Sequence, residues 1–195
     1  MKYLKYRMLL AGGRCYGFDT QPTQVENLDM TLPGYLEMLE ALGFSHFIIL
    51  ERKNHLRRIV SMMIARKTSQ LYRRVVVDPS LVRIELEVGQ LVLGRGKDLE
   101  PRSLVAHLER EQESMRLLKQ LLSDRRSLHL VYEDDISSDP IVAYRRVCEF
   151  TGIGYYNVSV KYYKTNPFDL AEVLTNFSEV ERVLCGTPFE WMLDS

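Results

Sequence analysis

A length of 195 residues, with 46% apolar and 27% charged side chains, is typical of one soluble domain, and no linker or repeat divides residues 1–195. The 26 basic and 26 acidic side chains cancel, so no overall field draws the chain to nucleic acid or to an acidic membrane. Three widely spaced cysteines without a CxxC pair indicate free thiols and no metal site, and the lack of a long apolar run predicts a cytoplasmic protein with no membrane span.

The first predicted elements alternate strand and helix. Residues 16–21 have the composition of a strand, and residues 33–42 form a helical pattern with proline in its first turn. The apolar run at residues 47–50 predicts a strand covered on both faces, and apolar side chains then recur at helical spacing over residues 56–64. This order is the repeat of a parallel α/β sheet flanked by helices.

The second half of the chain continues the same alternation. Residues 83–88 alternate like a half-exposed strand or an extended loop, and residues 101–122 form a long amphipathic helix. Residues 127–132 predict another buried strand, and Asp139-Pro140 begins a helix that stops at Gly152. Short helices are expected in the tail around Leu170, Val180 and Trp191.

A cationic turn follows the strand at residues 47–50. Arg52, Lys53 and Asn54 stand where the strand ends, and the helix that follows has free N–H groups in its first turn, so the turn suits an anion such as phosphate. Arg52 offers paired planar donors and Ser61 adds a hydroxyl. Spacing alone favours the simpler interpretation of a strand-end arginine and a helix serine bonded to its own backbone.

For most of the other candidate residues, a structural role is a better explanation than a binding or catalytic one. The acidic residues 133–135 are more typical of a helix-capping and salt-bridging corner than of a magnesium site. Residues 89–97 resemble a phosphate loop, but the lysine comes two positions late and no Ser or Thr follows it. His46 and His129 fall on buried strand positions and are expected to be structural, whereas His55 lies beside the cationic turn and is the one candidate for acid–base chemistry.

Four segments in series resemble the bacterial branch of the PAPS-dependent sulfotransferases. They are YGFDTQPTQV from Tyr16, FIILERKNHLRRIVSMMIARKT from Phe47, LHLVYEDDISSDPIVAYRRVCEFTGI from Leu128 and VKYYKTNPFDLAEVLTNFSEVERVLCGTPFEWML from Val160. PAPS is phosphoadenosine phosphosulfate, the sulfuryl donor, and PAP is its product. The resemblance implies a P-loop-like α/β sheet flanked by helices. It also implies that Arg52 and Ser61 bind the 3′-phosphate of PAPS or PAP. The resemblance therefore favours a phosphate-binding role for these two residues, whereas spacing alone favours a structural one.

The departures from the family pattern leave two functions open. Residues 1–14 contain no PRSGTT-type loop for the 5′-phosphosulfate, Asp19 stands where a lysine is usual, and Glu51 stands where an arginine is frequent. The catalytic base therefore stays unassigned. One hypothesis is a sulfotransferase that acts on a hydroxyl or amine of a small molecule or glycan. The other is a shortened, non-catalytic relative that works as an interaction or assembly module, with a second copy or a partner chain completing its sheet.

Overall fold

The architecture is α/β, with helices packed around a small parallel sheet. The computed structural model describes residues 2–26, 28–68, 78–93, 100–161 and 168–194. Within these ranges no helix combines the length and the apolar character needed to cross a membrane. The elements are α1 (Lys2–Ala11), α2 (Pro22–Glu26), α3 (Leu32–Ala41), β1 (Phe47–Glu51), α4 (His55–Thr68), α5 (Leu104–Leu121), β2 (Ser127–Val131), α6 (Pro140–Thr151), α7 (Leu170–Val173) and α8 (Phe177–Leu184).

The sheet pairs β1 with β2 in parallel, with Phe47 opposite Ser127 and Glu51 opposite Val131. The apolar runs predict both strands, and the structure confirms that they form. The expectation that β1 is covered on both faces is wrong, because Ile48 is 43% exposed and Leu50 is 60% exposed. Most of β2 is not buried either. Parallel neighbours need a long crossover, which the segment containing α4 and α5 supplies. The carboxyl ends of both strands therefore meet at one edge of the sheet. The α/β prediction is confirmed at this level, with two strands paired in the part of the chain that the structure describes.

Residues 16–21, predicted as a strand, are irregular and pair with no described strand, so this prediction is wrong. Aromatic packing organises the segment instead. The Phe18 ring lies 5.3 Å from the Phe44 ring in an edge-to-face arrangement, and the Tyr16 ring lies 6.2 Å from it. Such contacts hold the aromatic side chains without a ladder of backbone hydrogen bonds. The observed order at this point is therefore helix, helix and then β1.

The helix ends follow the capping chemistry visible in the sequence. The Thr31 hydroxyl accepts a hydrogen bond from Gly34 N and begins α3, and the Asp139 carboxylate accepts from Ile141 N and begins α6. Gly152 ends α6 with a φ of 70°, the left-handed conformation that glycine adopts most easily. Both predicted helices are confirmed to within a few residues.

Residues 83–88 run extended beside the core, directly after a 3-10 turn at Pro79–Val82. Val82, Ile84 and Leu86 are buried and the side chains between them are exposed, which confirms the predicted alternation. Ile84 forms one isolated parallel bridge with Leu174, so the segment is extended without joining the sheet. Residues 94–97, the second part of the segment that resembles a phosphate loop, lie outside the described residues.

The main hydrophobic core surrounds α4 and continues into the tail. Leu56 and Ile59 of α4 are fully buried against Leu104 and Leu108 of α5, the long helix predicted at residues 101–122. Burial of each such side chain stabilises the fold by about 1.5–3 kcal/mol. The tail confirms the predicted short helices: α7, α8 and a 3-10 turn at Glu190–Leu193 pack on this core, and Met192 is 3% exposed.

Candidate functional site

The amino end of α4 is fixed by Asn54, which lies between the end of β1 and the first turn of the helix. The side chain of Asn54 is almost fully buried, and its Oδ1 accepts a hydrogen bond from Arg57 N at 2.8 Å. Its Nδ2 donates to Met192 O at 2.8 Å. One side chain therefore caps α4 and ties it to the tail of the protein.

The backbone N–H groups at the start of α4 already hold an anion, the carboxylate of Glu133. Its two oxygens accept from Lys53 N at 2.9 Å and from Asn54 N at 3.1 Å. Glu133 belongs to a π-helical turn at Tyr132–Ile136, directly after β2, so the parallel strands deliver it to this edge. Together with the 2.7 Å ion pair between Lys53 and Asp134, this confirms the predicted capping and salt-bridging corner.

Arg52 lies beside this corner with its side chain 23% exposed. Its guanidinium stacks 4.7 Å from the centre of the Tyr132 ring, and its Nε lies 3.9 Å from Glu133 Oε1. Burial lowers the pKa of Arg52, and the nearby charges of Arg57 and Arg58 lower it further, while Tyr132 and Glu133 act in the opposite direction. Arginine titrates so high that the side chain stays cationic. Its Nε is buried and forms no hydrogen bond with any residue that the structure describes.

Arg57 is a second partly buried arginine of this region, with its side chain 17% exposed. Its Nη1 donates to Phe168 O at 2.9 Å, and its Nη2 lies 3.6 Å from Asp169 Oδ1. The Nε of Arg57, like that of Arg52, is buried and finds no acceptor among the described residues. The contacts with Phe168 and Asp169 hold the tail against α4.

Ser61 lies on the same side of α4 as the arginines. It follows Arg57 by four positions and Arg58 by three, so it occupies the next turn of the same helix face. Arg58 pairs with Glu111 of α5 at 2.5 Å. Ser61 is half-buried, and no described residue forms a hydrogen bond with its hydroxyl. Helical periodicity therefore puts the predicted serine one turn from Arg57 and Arg58. These two side chains lie close enough to Arg52 for their charges to lower its pKa, and Arg52, Arg57 and Arg58 together form an arginine cluster.

Glu51, at the end of β1, forms a charged group with residues of β2 and α5. Its Oε2 lies 2.6 Å from His129 Nε2 and 2.8 Å from Lys119 Nζ. Burial raises the pKa of Glu51, but the hydrogen bonds and positive charges of Lys119 and His129 outweigh that effect and lower the pKa overall. His129 was expected inside a buried strand. Its side chain is 39% exposed, so the expectation of burial is wrong.

A cavity of about 530 Å³ opens between the start of α4, the middle of α5 and residues 188–192. Glu51 and Lys119 lie in its wall with His55, and Trp191 contributes an aromatic ring. Neither Arg52 nor Ser61 lines this cavity. The sequence does not reveal this cavity, because three segments that are far apart in the chain form its wall. Two residues could have drawn attention to it: Trp191 in the tail, and His55 beside the cationic turn.

His55 is a buried histidine with an unused hydrogen-bonding position on its ring. It is 6% exposed, and its Nδ1 is buried without a hydrogen-bond partner among the described residues. Burial lowers its pKa, the charge of Arg58 lowers it further, and Glu111 and Glu51 counteract this in part. The imidazole is therefore neutral at neutral pH. By contrast, the side chain of buried His107 has a partner: its Nε2 lies 2.7 Å from Leu91 O, and this hydrogen bond links α5 to residue 91 in the core.

The lowered pKa of His55 makes the stability of the fold depend on pH. The unfolded chain binds a proton at His55 near the ordinary pKa of about 6.5, whereas the folded chain resists it, so stability falls as the pH drops through that value. We expect the free energy of unfolding to be lower at pH 5.5 than at pH 7.5. Urea titrations at both values measure the difference. The His55→Gln variant should show a smaller difference, and an unchanged one would contradict this assignment.

No protein-family model matches this chain, and no curated protein or solved structure matches it. The sulfotransferase resemblance therefore stays a prediction based on the motifs. Of the segments that carry it, residues 162–167, which include KTNP, lie outside the described residues. Within the described residues, no group of three or more histidine, cysteine or acidic side chains is placed to hold a metal ion.

Proposed function

We propose that this chain is a sulfotransferase-like protein that binds PAPS or PAP, with the 3′-phosphate held by Arg52 and Ser61. The observation that supports this best is the pair of buried Nε–H donors on Arg52 and Arg57, for which the described residues supply no acceptor. An unsatisfied buried donor costs about 1–3 kcal/mol. A phosphate would supply oxygen acceptors to both donors.

The positive charges of the three arginines also favour the binding of an anion. Arg52, Arg57 and Arg58 are close enough for the charges of the last two to lower the pKa of the first. Glu111 and Asp169 pair with two of these side chains, and Glu133 lies at a longer distance from the third. A phosphate monoester carries up to two negative charges, so its binding would relieve the repulsion that remains.

The backbone of α4 has a smaller role in this proposal than the sequence predicts. Glu133 occupies the N–H groups of Lys53 and Asn54. The phosphate would therefore be held by guanidinium and hydroxyl groups, a side-chain clamp next to the helix end. PAPS would supply the sulfuryl group, the acceptor would be a hydroxyl or amine, and the residues named here bind and orient the nucleotide.

The test is calorimetric titration of the protein with PAP. Arg52→Ala should weaken PAP binding roughly tenfold or more, because a charge-assisted contact contributes about 1.5–3 kcal/mol. AMP, which lacks the 3′-phosphate, should bind weakly to the unmutated protein and lose little in the variant. Arg182→Ala removes the same charge from the exposed face of α8 and should leave PAP affinity unchanged. Absence of PAP binding to the unmutated protein would end the proposal.

A second candidate function is the interaction module, and one surface favours it. Ile48 is 43% exposed and Leu50 is 60% exposed, although both belong to the sheet strand β1. Within the described residues, β1 has one hydrogen-bonded neighbour, so its other edge offers free backbone groups. A second copy or a partner chain could pair there. A native mass from light scattering above that of one chain, together with no binding of PAP, would favour this function over the first.

A further inference from the structure

The cavity between α4, α5 and the tail has the features of a built ligand site. Its volume of about 530 Å³ falls in the range of about 300–1,000 Å³ that is typical of small-molecule pockets. It opens at the carboxyl end of β1, the position at which α/β sheets usually bind ligands. His55, 6% exposed, lies in its wall with Nδ1 unpartnered, so the described residues leave a buried polar group unsatisfied beside the cavity.

Three acidic and three basic side chains line the cavity, so its wall has no net charge. Lys119 lies 2.8 Å from Glu51, Arg116 lies 2.6 Å from Glu113, and Lys53 bonds to Asp134 just outside the wall, while Glu109 is the sixth charged residue. A ligand with several like charges would need more than the Glu109 carboxylate and would have to separate one of these pairs. A neutral ligand leaves them intact and still finds free lone pairs on the carboxylates and free N–H groups on the cations.

The rest of the wall is suited to a flat molecule with polar edges. Trp191 is 48% exposed and presents its ring at the cavity, next to Phe189 and Met115. An aromatic ring offers a broad apolar surface, and Gln112 adds an amide that both donates and accepts. A sugar ring combines an apolar face of C–H groups with hydroxyls around its edge. A neutral imidazole at His55 has one donor and one acceptor, which matches a hydroxyl group.

We infer that this cavity binds a neutral saccharide, with one sugar ring stacked on Trp191 and hydroxyls bonded to His55, Gln112 and the Glu51–Lys119 pair. Binding does not depend on the nucleotide site. That the saccharide is the acceptor of sulfuryl transfer rests on the proposed function.

Trp191 is the one tryptophan of the chain, so its fluorescence reports on this cavity directly. The protein is titrated with glucose, galactose, mannose, N-acetylglucosamine, cellobiose and maltose. We expect a saturable blue shift with at least one of them, at a dissociation constant in the millimolar range or below. Spermidine and PAP are the charged comparisons and should not produce that shift. A saturable shift with spermidine alone, or none with any of the six sugars, would overturn the inference.

Variants at two positions, Trp191 and Gln112, test the contacts by calorimetry with the sugar that binds most tightly. Trp191→Ala should weaken binding roughly tenfold and Trp191→Phe less, because phenylalanine keeps a ring. Gln112→Ala should weaken binding roughly fivefold, since one hydrogen bond is lost. Gln120 lies two turns further along α5, outside the cavity wall, so Gln120→Ala should bind as the unmutated protein does. Unchanged affinity in both Trp191→Ala and Gln112→Ala would overturn the assignment.

The two proposals fail separately. PAP binding without sugar binding would leave the nucleotide site standing and remove the saccharide site. Sugar binding without PAP binding would support the saccharide site and remove the sulfotransferase proposal.

Discussion

Replacing Asn54 with alanine is expected to lower the free energy of unfolding by about 2–4 kcal/mol. The change removes the cap on Arg57 N and also leaves Met192 O without its donor, in a place where Asn54 itself is 1% exposed. A domain of this size should then melt roughly 4–16 °C lower. Denaturant unfolding of both proteins gives the difference in free energy, and calorimetry gives the melting temperatures.

A matched control separates the cost of losing the helix cap from the cost of leaving the buried Met192 carbonyl without a donor. Thr31 caps α3 through one bond to Gly34 N and is exposed, so Thr31→Ala removes a cap and leaves no buried carbonyl behind. Its expected cost is about 0.5–2 kcal/mol. If Asn54→Ala costs no more than Thr31→Ala, the hydrogen bond between Asn54 and Met192 contributes nothing to stability, and the other contacts of the tail hold it.

The parts of the fold that local chemistry determines could be predicted from sequence. The apolar run of β1, the helical spacing of α4 and the Asp139-Pro140 start of α6 are decided by neighbours within a few positions. Residues 16–21 were not predictable in this way. They have strand composition, but contacts of Tyr16 and Phe18 with Phe44 determine their path, and those contacts join positions that are far apart in sequence.

In the candidate site, too, features set by nearby residues could be predicted and features set by distant contacts could not. Arg52 and Ser61 were identified from their positions after a strand and on the next helix. In the structure Arg52 forms a cluster with Arg57 and Arg58, and Ser61 lies one helical turn from the last two. The carboxylate that fills the start of α4 could not be identified. Glu133 is 80 positions from Lys53 and 79 from Asn54, and only the register of β1 with β2 brings it there. Its acidic run indicated a capping corner without indicating which helix it caps.

Replacing Glu133 with alanine is expected to lower the free energy of unfolding by about 2–4 kcal/mol. Two backbone donors, on Lys53 and Asn54, lose one shared carboxylate, and bonds to a charged acceptor contribute about 1.5–3 kcal/mol each before water replaces part of them. Denaturant unfolding at pH 7 measures the loss. Asp134→Ala is the control, because it removes a neighbouring carboxylate that pairs with Lys53 at the exposed surface and should change stability little.

The same variant also tests how Glu133 relates to the nucleotide site. Its carboxylate lies 3.9 Å from Arg52 Nε and offsets part of the positive charge that a phosphate would meet. If the proposed function holds, the folded fraction of Glu133→Ala should bind PAP more tightly than the unmutated protein, even though the fold is weaker. Glu133→Gln keeps an amide oxygen for one backbone donor and removes the charge, so it should lose less stability and show the same gain in affinity. A fall in PAP affinity in Glu133→Gln, with the fold intact, would instead mean that this carboxylate positions Arg52 for the phosphate.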